Sequence, residues 1–100
     1  MSREVLERLY VIPLRDAYEA SRTRRAKKAI NIIRKFAQRH MKGEDVRISE
    51  GVNHVVWSRG AEEPPRRITV LIRKDENGVI HVMLPKEAGE AKEESRESER

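Results

Sequence analysis

Residues 24–42 constrain this chain more than any other stretch. With Ala26 at zero on a helical wheel, Ala29, Ile30, Ile33, Phe36, Ala37, His40 and Met41 fall within an arc of about 140°. Arg24, Lys27, Lys28, Lys35, Arg39 and Lys42 occupy the opposite side, with Ile32 at the edge. The pattern predicts one long amphipathic helix with an apolar face for packing and a basic ridge for water or a partner. Gly43 is the expected C-cap, and Ser21 or Thr23 is the expected N-cap.

Such a helix needs something to lie on. Residues 5–12 alternate as a strand with apolar side chains on both faces, which suggests a central position, and Pro13 ends it. Residues 66–74 put Ile68, Val70 and Ile72 on one side. Asp75-Glu76-Asn77-Gly78 is a hairpin signal, and 79–84 return with Ile80, Val82 and Leu84 on one face. Between the long helix and this hairpin, Val46 and Ile48 sit on a short, extended-looking link. Ser49 is placed to cap a second helix, Glu50 suits its first turn, and Gly60 is the expected stop. The expected fold is α+β: a small three-stranded sheet packed against two helices, in the order strand, helix, helix, strand, strand. Ile30, Ile33, Phe36 and Trp57 are the expected core anchors, although Trp57 could instead stack on a nucleotide.

At 100 residues this is a single domain with a thin core. Residues 5–84 form the expected folded unit. Residues 85–100 lack apolar periodicity and are expected to be an acidic, disordered tail. Charged residues make up 39% of the chain, against roughly 25% in an ordinary domain. The charge is also uneven: residues 1–84 carry 18 Lys/Arg against 11 Asp/Glu, and residues 85–100 carry 4 against 6. A basic folded part points to a polyanion. There is no cysteine, hence no disulfide or thiolate metal site, and no apolar run approaches the roughly 20 residues of a membrane helix. A cytoplasmic protein with no membrane contact is expected.

Catalytic readings find little support. The five glycines form no phosphate-cradling loop, and His40, His54 and His81 lie on different elements with no ligand spacing. Ser21, Ser49 and Ser58 lack a base at any recognisable spacing. Glu62-Glu63 reads as solvated loop charge. No enzyme activity, cofactor or metal is expected.

The positions of the cations are more telling than their number. Arg22, Arg24, Arg25, Lys27 and Lys28 put five positive charges into seven residues at a helix N-terminus. There they oppose the helix dipole and repel one another. A phosphate would relieve both effects. Arg59, Arg66 and Arg67 form a second patch around a loop stiffened by Pro64-Pro65. Arg15 is a third candidate. Its neighbour Tyr18 is either a base-stacking ring or a half-buried packing residue. No RNA-recognition module is evident, so binding is expected to rest on phosphate and shape.

Val46-Arg47-Ile48, Val52, Asn53 and Trp57-Ser58-Arg59-Gly60 together resemble the signature of the archaeal and eukaryotic ribosomal protein L31e family. Tyr10 to Arg15, Arg22 to Ala26 with Ala29-Ile30, and Pro64-Pro65-Arg66-Arg67 extend the resemblance in order across most of the chain. Family members often have proline where this chain has Ser21. The resemblance implies a structural component of the large ribosomal subunit that binds its RNA near the polypeptide exit tunnel. It implies that Arg22, Arg24, Arg25, Lys27, Arg59, Arg66 and Arg67 carry the binding. Neighbouring ribosomal proteins, and tunnel-exit factors as transient visitors, would be its other partners. The competing expectations are a free-standing basic nucleic-acid-binding protein of the chromatin type and a protein-interaction module.

Overall fold

The structure, a computed structural model, describes residues 6–86. The expected strand start at Val5 and almost all of the expected tail at 85–100 lie outside the described residues. Strand β1 (Leu6–Pro13) leads through two short 3-10 turns (Arg15–Glu19 and Arg22–Arg24) into helix α1 (Arg25–Met41). Strand β2 (Val46–Ile48), helix α2 (Glu50–Trp57) and strands β3 (Arg67–Lys74) and β4 (Ile80–Met83) follow. The α+β class and both helices are as expected. The sheet differs: it has four strands, ordered β1-β3-β4-β2, instead of three. The added strand is the Val46–Ile48 link, which runs parallel to β4 with Val46 opposite Ile80 and Ile48 opposite Val82. Three residues are too few for a period-2 pattern to stand out, but they suffice to pair an otherwise open edge of β4.

β1 is correspondingly an edge strand among the described residues, not a central one, and pairs there with β3 alone. Its even residues from Tyr10 face the core, and Leu9 and Val11 stand 60% and 57% exposed on the outer face. The core lies between one face of the sheet and the two helices. Ile12, Ile68, Val70, Ile72, Ile80 and Val82 meet Ala26, Ala29, Ile33, Ala37 and Met41 of α1, with Val52 and Val56 of α2. Three of the five α1 residues are alanines, which let the helix backbone approach the sheet closely. Ile33 is fully buried as expected, while Ile30 and Phe36 pack at the margin. Phe36 meets Tyr10 edge-on at 5.3 Å between ring centroids and stacks on His40 at 4.1 Å.

Trp57 is not a core anchor. It is 41% exposed, while Val52 and Val56 are completely buried. Those valines are four residues apart and share one helix face, and Trp57 lies about 100° round from Val56.

The caps also depart in part from expectation. Ser49 caps α2 as predicted, its Oγ accepting from the Val52 N–H at 3.2 Å. Neither Ser21 nor Thr23 caps α1. Arg24 stands at the N-cap without a side-chain bond, and the Ala26 N–H donates to the Ala61 carbonyl at 2.9 Å. At the other end Lys42, with φ 52°, takes the left-handed position expected of Gly43. Gly43 itself passes close to β4: a Cβ there would come within 2.9 Å of Ile80 Cδ1, so that methyl would have to shift. Lys74 Nζ donates to the Met41 carbonyl at 3.0 Å, a favourable charge at a helix C-terminus. In the hairpin turn only Gly78 has positive φ, and Asp75 Oδ1 accepts from the N–H groups of Asn77 and Val79.

Candidate nucleic-acid interface

The first turn of α1 separates two basic hollows. One is a cleft of about 570 Å³ walled by Tyr18, Arg25, Arg59, Arg66 and the double proline, with Val55, Ser58 and Glu63 completing it. Four separate segments build it. The 3-10 turn after β1 supplies Tyr18, whose hydroxyl donates to the Pro64 carbonyl at 2.5 Å and ties that turn to the loop before β3. Arg25, the first residue of α1, puts its guanidinium 5.0 Å from the centre of the Tyr18 ring. Its Nε and Nη1 donate to the carbonyls of Ala20 and Glu62, each at 3.4 Å. Arg66 also lies 5.0 Å from that ring centre. Pro64 is buried, so the loop carrying Glu63 and Arg66 is pinned. The cleft is therefore organised before any ligand arrives, which lowers the ordering cost of binding.

The second hollow is a broader groove of about 830 Å³ along the exposed side of α1. Arg24, Lys27, Lys28 and Lys35 line it with Thr23, Asn31, Ile32 and Ala20. Its cations are held by nothing comparable. Among the described residues, the side chains of Arg24, Lys27, Lys28 and Lys35 have no hydrogen-bond or ion-pair partner, and the same is true of those of Arg22 and of Arg59 in the cleft. Like charges thus crowd one end of α1 without neutralisation.

The five-cation cluster read from the sequence is consequently split. Arg25 turns into the cleft, where it is half-buried and braces other residues, while Arg24, Lys27 and Lys28 face the groove. Arg22 is exposed on its 3-10 turn and lines neither hollow. Arg59 and Arg66 meet in the cleft. Arg67 points away on the exposed side of β3, opposite Pro13, and Arg15 is exposed on the turn after β1. Tyr18 is half-buried, with both arginines against its ring.

Two site residues escaped the sequence reading. Lys35 stands on the basic ridge read from the sequence but not among the expected binding residues, although it lies seven and eight residues beyond Lys28 and Lys27 on the same helix side. Glu63 came across as loop charge, and only the folded loop brings it to the cleft. Among the described residues no group of His, Asp or Glu could hold a metal ion, and no helix is long and apolar enough to cross a membrane.

Comparison with known proteins gives one consistent answer. The family model for ribosomal protein L31e matches residues 4–78. The large ribosomal subunit protein eL31 of Methanoregula boonei is 47% identical over 88 residues, covering 88% of this chain and all of that protein. The protein of the same name from Pyrobaculum arsenaticum is 49% identical over 82 residues, covering 80% and 89%. That from Methanothermobacter thermautotrophicus is 47% identical over 79 residues, covering 79% and 98%.

Proposed function

The chain belongs to the ribosomal protein L31e family, and on that premise we propose that its two basic hollows hold it to the RNA of the large ribosomal subunit. Membership makes it a large-subunit ribosomal protein, a structural component and not an enzyme. The observation that carries the RNA-binding reading is the set of cations gathered in hollows on both sides of the first turn of α1, most of them without a side-chain partner among the described residues. In water such crowding costs stability through mutual repulsion and an opposed helix dipole. Against phosphates the same charges become favourable, and the counterions they displace from the RNA drive association.

The groove runs beside α1 and its cations are three lysines and one arginine, so it suits a run of phosphates. The cleft offers guanidinium planes suited to phosphate oxygens and to exposed bases. A position near the polypeptide exit tunnel, with neighbouring ribosomal proteins and visiting tunnel-exit factors as further partners, is supported by family membership. So is a place on the ribosome in the cytoplasm. The test is the salt dependence of binding to large-subunit RNA. With on the order of six phosphates neutralised, log affinity falls against log salt with a slope of about −4 to −5. A nearly flat dependence would mean that the hollows do not meet phosphate.

A further inference from the structure

The cleft contains two features that a phosphate site has no use for. One is an apolar wall: Val55, Pro64 and Pro65 line it beside the Tyr18 ring. The other is Glu63. Glu63 lines the same hollow as three arginines, yet its carboxylate forms no ion pair with any of them within 4.0 Å. A carboxylate repels phosphate, so its presence works against a cleft meant for phosphate alone. It is an acceptor with two oxygens, and it favours a ligand that presents N–H groups.

We propose that the cleft receives a single unpaired nucleotide of the RNA and selects guanine through Glu63. This deepens the RNA-binding reading and rests on it. The volume of about 570 Å³ lies within the roughly 300–1,000 Å³ of small-molecule sites. The ligand's chemistry divides as the lining does. Phosphate oxygens go to Arg59, which has no other partner among the described residues, and to Arg66. The flat base covers Pro65 and Val55. The Watson–Crick edge of the base turns to Glu63.

Guanine offers two parallel donors there, N1–H and the N2 amino group, which match the two oxygens of one carboxylate. Adenine and cytosine offer one amino donor beside a ring nitrogen that repels the carboxylate. Uracil offers one N–H flanked by two carbonyls that repel it. The expected order is therefore guanine first, adenine and cytosine next, uracil last. Arg25 has a positioning role: held by the Ala20 and Glu62 carbonyls and the Tyr18 ring, it fixes the wall without needing to touch the nucleotide.

The test uses the full chain and five-nucleotide RNAs of uridine with the central base varied. Binding is followed by amide chemical shifts and titrated at two salt concentrations. The expected result is shifts at Tyr18, Val55, Glu63 and Arg66, with the guanine oligonucleotide bound roughly tenfold more tightly than the all-uridine one. In Glu63→Gln, which removes the paired acceptor on an exposed loop, that ratio should collapse towards one while the salt dependence stays. Equal affinity for all four bases in the unaltered chain, with strong salt dependence, would overturn guanine selection and leave phosphate binding standing. Shifts confined to the α1 groove, or no shifts at all, would overturn the cleft as a nucleotide site. Whether the RNA-binding reading itself fails is decided separately, by the salt dependence on large-subunit RNA.

Discussion

The two hollows beside α1 carry similar charge and are built on different principles. In the cleft, each arginine that touches Tyr18 is braced, and Tyr18 in turn is tied to Pro64. In the groove, Arg24, Lys27, Lys28 and Lys35 extend from one helix with no partner among the described residues. Tyr18 and Arg25 of the cleft are ordered on folding, so binding against them loses less side-chain entropy, while Arg59 has no partner among the described residues. The groove's lysines have no side-chain partner among the described residues, so binding there orders long side chains at a greater entropic cost. On the proposed RNA-binding reading, braced arginines suit discrimination by shape and unpartnered lysines suit attraction by charge.

That contrast can be broken most forcefully at Tyr18. Tyr18→Ala should cost roughly 2–3 kcal/mol in urea unfolding, since it removes a half-buried ring and its bond to Pro64. RNA affinity should fall with it as Arg25 and Arg66 lose their support. Tyr18→Phe keeps the ring and should cost only about 1 kcal/mol. If Tyr18→Ala left both stability and affinity intact, the cleft would not be braced at all.

The groove should respond in the opposite sense. Replacing Lys27 and Lys28 by alanine together should make the salt slope of RNA binding shallower by about 1.5–2. Stability should hold or rise by about 0.3–1 kcal/mol, because two charges that oppose the helix dipole are gone. A clear loss of stability would mean that those lysines pack against something, and the contrast with the cleft would fail.

Two smaller effects sharpen the comparison from outside both hollows. Trp57→Ala should cost less than about 1.5 kcal/mol, as befits a side chain 41% exposed. The 3–5 kcal/mol of a core aromatic would restore the role its sequence position suggested. At the hairpin turn, the hydrogen bond from His81, chiefly, holds the Asp75 carboxyl below its ordinary value, helped by the N–H groups of Val79 and Asn77 and opposed by partial burial. A carboxyl whose folded value is depressed stabilises the fold fully above its unfolded value. That stability is lost as pH falls through the folded one. The difference in stability between the unaltered chain and Asp75→Asn should therefore narrow as pH drops below 3.8, with RNA binding unchanged at neutral pH.

Much of this architecture could be read from residue patterns because the pattern outlasted local noise. Helix α1 carries its apolar period for 17 residues, and β3 alternates buried and exposed side chains over most of its length. Where a segment was short, pattern gave way to tertiary context. Val46–Ile48 becomes a strand only because β4 lies beside it. The edge position of β1 depends on which strand pairs with it, which alternation does not reveal. Lys42, not Gly43, takes positive φ, and Gly43 passes close to Ile80, neither of which residue type alone reveals.

The site shows the same limit. Charge density identified the neighbourhood, with Arg24, Arg25, Lys27, Lys28, Arg59 and Arg66 all within it. Helical phase then sent Arg25 and its neighbours to different hollows. Glu63 reaches the cleft only through loop folding. Arg15, Arg22 and Arg67 remain outside both hollows, and nothing in the geometry assigns them a ligand.

The most direct test of the account is co-sedimentation of the full chain with large ribosomal subunits across a salt series, beside a variant carrying Arg59→Ala and Arg66→Ala. The account predicts that the unaltered chain travels with the subunit at moderate salt and is released at high salt. The variant should be released at clearly lower salt while unfolding normally in urea. A chain found soluble and free of subunits at moderate salt, or a variant that stays bound as firmly as the unaltered chain, would contradict it.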